Sequence, residues 1–136
     1  MNIRLPSLVV DPMAAAEVAA AHQGARRVGG ALALAAYARL VSESDRLFSL
    51  ITRARRPIRI FFTLSTNPYG DADEVITSIR QHRVLEVPTA ACERDRLHPA
   101  MGCDVGGAYD RFRAVHDVLG HGQFNLGFDR DSEYAA

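Results

Sequence analysis

Ile58-Arg59-Ile60-Phe61-Phe62-Thr63-Leu64 is the stretch at which the hydrophobic period of the chain changes. Ile58, Ile60, Phe62 and Leu64 alternate with Arg59, Phe61 and Thr63, the period of two that marks a strand with one buried face. On either side the spacing is helical. Upstream, Leu32, Leu34, Ala35, Leu40 and Val41 follow Gly29-Gly30 and lead on through Leu47, Leu50 and Ile51. A break is expected near Ser42–Ser44, and Pro57 forbids extension. Earlier still, Asp11-Pro12 can cap an Ala-rich helix that runs to Gln23 and stops at Gly24. Downstream, Asn67-Pro68-Tyr69-Gly70 is a turn. Asp71, Asp73 and Glu74 then open a helix at its dipole-favoured end, and Val75, Ile76 and Ile79 give it an apolar face.

Val84-Leu85-Glu86-Val87 forms a second short strand, stopped by Pro88, and residues 89–107 are irregular. A further helix starts at Ala108 with Tyr109, Phe112, Val115 and Leu119 along one side. The order helix, helix, strand, helix, strand, loop, helix predicts a small, mainly helical α+β domain with a short two-stranded element. A length of 136 residues fits one domain, residues 1–136. Glu133-Tyr134-Ala135-Ala136 reads as the opening of another helix. The chain is therefore expected to be truncated at its C-terminus, or to take its remaining wall from a partner such as a second copy.

Hydrophobic residues make up 48% of the chain and charged residues 24%, enough apolar surface for a core without disulfides. All 16 basic residues are Arg, balanced by 16 acidic ones, so the whole molecule carries no bias toward nucleic acid or anionic membrane. Neither partner is expected. Arg53, Arg55, Arg56 and Arg59 do cluster, but without the interleaved aromatics of single-strand binders, and they read as a solvated helix end. Cys92 and Cys103 are too few and too far apart for a disulfide framework or a Cys-x-x-Cys zinc site. No apolar stretch approaches the ~20 residues of a membrane span, and no secretory signal is visible, so a cytoplasmic location is expected. Gly102, Gly106 and Gly107 lack the flanking residues of a phosphate loop, and no Ser sits in a nucleophile elbow. Tyr69 is expected at the surface and His82 at the core edge.

The strongest functional signal is His116-Asp117-Val118-Leu119-Gly120-His121. Two histidines five apart lie about 140° from each other on an ideal helix. They can share a side only if the helix ends between them, and Gly120 is suited to end it. Asp117, four residues before His121, could orient that ring, ligate the ion directly, or act beside it as the catalytic carboxylate. Two His with one carboxylate is the facial triad of non-haem Fe(II) oxygenases, and the same set with a bound water suits hydrolytic zinc. Glu133 is the first choice for the third ligand, because it would start a helix able to pack back on the His helix. His98 is the other.

This hexapeptide resembles the iron-binding stretch of the aromatic amino-acid hydroxylases, His-[Glu/Asp]-x-x-Gly-His, with Gly122 where that family has Pro. The resemblance implies that His116 and His121 bind Fe(II), that a Glu farther along completes the set, and that O₂ and a tetrahydropterin take part. A longer stretch, from Phe112-Arg113-Ala114-Val115-His116-Asp117 through Gly120-His121 to Phe128 and Glu133, with His98-Pro99 upstream, resembles a group of uncharacterised phage and actinobacterial proteins. They carry Phe-Arg-x-Val-His-Asp-x-x-Gly-His, and they imply no activity. Three functions stay open. The chain is an iron-dependent, oxygenase-like protein acting on a small molecule, a zinc-dependent hydrolase using the same histidines, or a non-enzymatic interaction domain whose histidines are structural.

Overall fold

Pro57 and the change of period at Ile58 divide the molecule into a long helix and everything that packs beside it. In the computed structural model, residues 12–13, 16–17, 30–92, 98 and 100–135 are described. The first helix of the sequence reading lies mostly outside them, although Pro12, Met13, Ala16 and Glu17 are helical. Helix α1, Ala31–Arg53, runs unbroken for 23 residues. Ser44, where a break was expected, is instead its buried position, and α1 packs along the helix that carries His116. Phe48 and Ile51 turn toward the core, whereas Leu32, Leu34, Leu40 and Leu50 are exposed.

Strand β1, Arg59–Thr63, and strand β2, Val84–Pro88, pair in parallel, with Ile60 opposite Leu85 and Phe62 opposite Val87. A parallel pair needs a crossover. Helix α2, Ala72–Thr77, supplies it and widens into a π turn over Ser78–His82. Asp71, expected only as one of the acidic residues opening α2, caps it, its side chain accepting from the Glu74 N–H at 2.9 Å. Leu64 falls beyond β1 and is 71% exposed, so the buried alternation stops at Phe62.

The expected positions of Tyr69 and His82 are exchanged. Tyr69 packs against the core, with its Oη accepting from the Glu86 N–H at 2.8 Å, while His82 is exposed. One cluster of Ile58, Val75, Ile79, Leu85, Val87, Ala114 and Val118 ties the sheet to α2 and to helix α3, Ala108–His116.

Asp110 fixes the start of α3. Fully buried, its carboxylate accepts from the Thr89 hydroxyl at 2.6 Å, the Ala90 N–H at 2.8 Å and the Gly106 N–H at 2.9 Å. Three donors offset the cost of burying a carboxylate. Arg111 holds α3 to α1, its guanidinium bonding both oxygens of Asp45 at 2.6 and 3.2 Å and the Gly106 carbonyl at 2.6 Å. Helix α4, Arg130–Ala135, follows. The architecture is a small, mainly helical α+β domain. No helix among the described residues is long and apolar enough to cross a membrane.

Candidate metal centre

The helix that carries His116 does not end at Gly120. It continues as a π turn over Asp117–Gly122, in which the Gln123 N–H reaches back five residues to the Val118 carbonyl. Gln123 and Phe124 remain helical, and the chain reverses at Asn125, whose φ of 61° is left-handed. The expected break is thus corrected, and its geometric purpose is met another way. A π turn closes over the fifth residue, so His116 and His121 stack on one side without any interruption.

Gly122 makes the wide turn packable. A Cβ there would lie 2.7 Å from Ile79 Cγ2 on the other π turn.

The two imidazoles converge, with their Nε2 atoms 3.0 Å apart and ring centroids 4.8 Å apart. His121 is 1% exposed and its Nδ1 lies 3.1 Å from the Leu126 carbonyl. A carbonyl only accepts, so Nδ1 carries the proton and the Nε2 of the neutral ring presents a lone pair. The left-handed Asn125 is what brings Leu126 back beneath that ring. His116 is 30% exposed on the open side.

Glu133 completes the set, its two oxygens 3.4 Å from His116 Nε2 and 3.5 Å from His121 Nε2. It arrives on α4, which Asp129 caps by accepting from the Asp131 and Ser132 N–H groups at 3.1 Å and the Ser132 hydroxyl at 2.6 Å. Those bonds hold the Asp129 carboxyl below its ordinary pKa, the Ser132 hydroxyl contributing most.

With metal–nitrogen and metal–oxygen bonds of about 2.0–2.2 Å, ligand atoms at angles between 90° and 109° stand about 2.9–3.5 Å apart. All three distances fall in that range. His116, His121 and Glu133 also form the group of His, Cys, Asp and Glu side chains able to share an ion among the described residues.

Asp117 lies half-buried beside the pair and accepts no hydrogen bond from the described residues. Burial pushes its carboxyl above the ordinary value, against the opposing pull of His116, His121 and Arg113.

His98, the other ligand considered, is placed elsewhere. Its ring packs edge-on to Tyr37 at 4.9 Å and against Tyr109 at 5.4 Å, and its Nδ1 accepts from the Ala100 N–H. Asp131 is exposed at the start of α4.

Two contributors escape the sequence reading. Phe128, half exposed, sets its ring edge-on to His121 at 4.9 Å. Leu126 supplies a backbone carbonyl, for which Asn125-Leu126-Gly127 is the only local signal. No protein-family model, curated protein or solved structure matches this chain.

Proposed function

We propose that the chain is a mononuclear divalent-metal protein with a non-haem iron, oxygenase-like centre built on His116, His121 and Glu133. The observation that carries this reading is the mutual spacing of the three ligand atoms at coordination distances. Two imidazole nitrogens 3.0 Å apart cannot both present lone pairs at low cost unless a proton or a cation lies between them. His121 has committed its other nitrogen to Leu126. Two His and one carboxylate occupy one face of an ion and leave the opposite positions for substrate. Fe(II) held there would supply O₂ activation.

The half-exposed Glu133 borders the open side, which suits a small-molecule substrate. Asp117, whose carboxyl burial raises above its ordinary value, is the catalytic carboxylate in this scheme, acting beside the ligands rather than as one. Zinc with a bound water is the second reading, a hydrolase. It draws on the 3.4 and 3.5 Å nitrogen–oxygen distances, which lie at the tetrahedral end of the range. The free thiol of Cys103 and the lack of a cysteine framework support a cytoplasmic location.

The test is metal analysis of the untagged protein, followed by anaerobic Fe(II) and by Zn(II) titration. One equivalent of metal is expected, and it should be lost in His116→Ala and His121→Ala with the fold intact. A folded protein that takes up neither metal would leave the histidines structural. Cobalt substitution separates the two metal readings, because four-coordinate Co(II) absorbs far more strongly in the visible than six-coordinate Co(II).

A further inference from the structure

The two π turns border an open groove of about 370 Å³ whose lining includes none of the three candidate ligands. Its floor is formed by the buried core residues Ile58, Ile79 and Val118 with Leu119 packed on them, and the exposed Gln123 adds a polar side chain to the lining. Its rim is cationic, formed by Arg80 and Arg83. Arg80 is exposed and its guanidinium bonds only the neutral Asn125 Oδ1, at 3.0 Å.

Arg83 is held in a left-handed conformation, φ 57°, which glycine or asparagine adopts at lower cost. Its Nη2 donates to the Arg56 carbonyl, and its Nε–H is buried without an acceptor. A guanidinium bound to the protein through one nitrogen has its remaining donors to offer elsewhere.

The surroundings add charge of one sign. The N-terminal ends of two parallel strands lie at the same edge, and the Arg59 N–H donates to the Arg83 carbonyl at 2.9 Å. Arg56 and Arg59 are therefore held beside Arg83, with Arg53 and Arg55 close by along the chain. Among the described residues, no carboxylate lies within ion-pairing distance of any of these arginines. In a chain of zero net charge this is a local excess that favours an anion and disfavours an empty groove.

We propose that the groove binds a small amphipathic anion, its carboxylate or phosphate held by Arg80 and Arg83 and its apolar part lying on Ile79, Val118 and Leu119. An apolar floor with a few placed charges at one end is the usual build of a small-ligand site. Guanidinium groups match either headgroup. The claim stands apart from the metal centre and does not require it.

Calorimetric titration of the whole chain with hexyl phosphate, hexanoate, inorganic phosphate and hexanol tests it. One of the two amphipathic anions is expected to bind at one site per chain, at least tenfold tighter than both inorganic phosphate and hexanol. Which of them binds tighter identifies the headgroup. Arg80→Gln should weaken that binding about tenfold, the loss of one charge-assisted bond. It should do so without changing the fold, since Arg80 is exposed. His116→Ala should leave the affinity unchanged, so a failed metal reading and a failed anion reading remain distinguishable.

Hexanol binding as tightly as the anions would overturn the charge recognition. Inorganic phosphate binding as tightly would overturn the role of the apolar floor. Silence from all four would overturn the proposal outright.

Discussion

A methyl group at position 122 would meet Ile79 at 2.7 Å, closer than two carbons can stand. The neighbour is a branched core side chain with little room to turn, so relief must come from the backbone of the π turn. Gly122→Ala should therefore cost about 1–3 kcal/mol in urea denaturation. It should also weaken metal binding, because the same backbone sets the distance between the rings.

Asp117 gives a second test at this scale. Burial raises its carboxyl, so the folded state holds its proton more tightly than the unfolded chain does. Stability of the metal-free protein should then fall as pH rises from the ordinary carboxylate range through that raised value. Asp117→Asn removes the penalty. The variant's gain in denaturation midpoint should be near zero at about pH 3, below the ordinary carboxylate pKa, and clear near neutrality. A constant gain at every pH would mean that ionisation is not the cause.

His116, His121, Asp117 and Glu133 were all legible as residue types in a suggestive pattern. What the pattern could not show was the route by which they meet. Periodicity arguments assume an α-helix, and the required alignment comes from a turn one residue wider.

Elements differ in how far their own residues specify them. The acidic start of α2 at Asp71 and the strand alternation from Ile58 to Phe62 rest on local chemistry, and both were readable in advance, whereas β2 runs through Pro88 rather than stopping before it. The end of the α3 segment was not readable, because Gly120 and Asn125 both offer a stop. Which one acts depends on Ile79 and on Leu126 reaching His121. Tyr69 was misplaced for the same reason, since its partner, the Glu86 N–H, is distant in sequence.

Helix α4 supplies the test at this scale. Its cap, Asp129, has a lowered pKa, so its contribution is present above the ordinary carboxylate range and is lost as pH falls below it. Asp129→Ala should loosen α4 and speed exchange of the Glu133 amide, which donates to the Asp129 carbonyl at 2.9 Å. Metal affinity should drop, by less than in His121→Ala. Unchanged amide exchange would show that packing alone holds the helix.

At the scale of the molecule, the βαβ unit and α1 form the scaffold, while the candidate ligands come from the two segments that close against it. An ion bound only by the folded state would stabilise the whole. At free metal about a hundredfold above Kd the gain should be about 2.7 kcal/mol, read as a rise of several degrees in Tm that a chelator reverses. His116→Ala should abolish that rise.

The wide turn of α3 also has a genetic meaning. A π turn closes on one more residue than the α turn it replaces. One codon therefore separates this helix from an uninterrupted one. Deleting Leu119 would leave both flanks in register, bring the histidines to a spacing of four and keep them on one face. A chain short by one residue there should still hold metal. A chain short by three, with the histidines two apart and about 160° from each other around the helix, should not. Insertion and deletion at this point are thus the cheapest moves by which the centre could be gained or lost in descent.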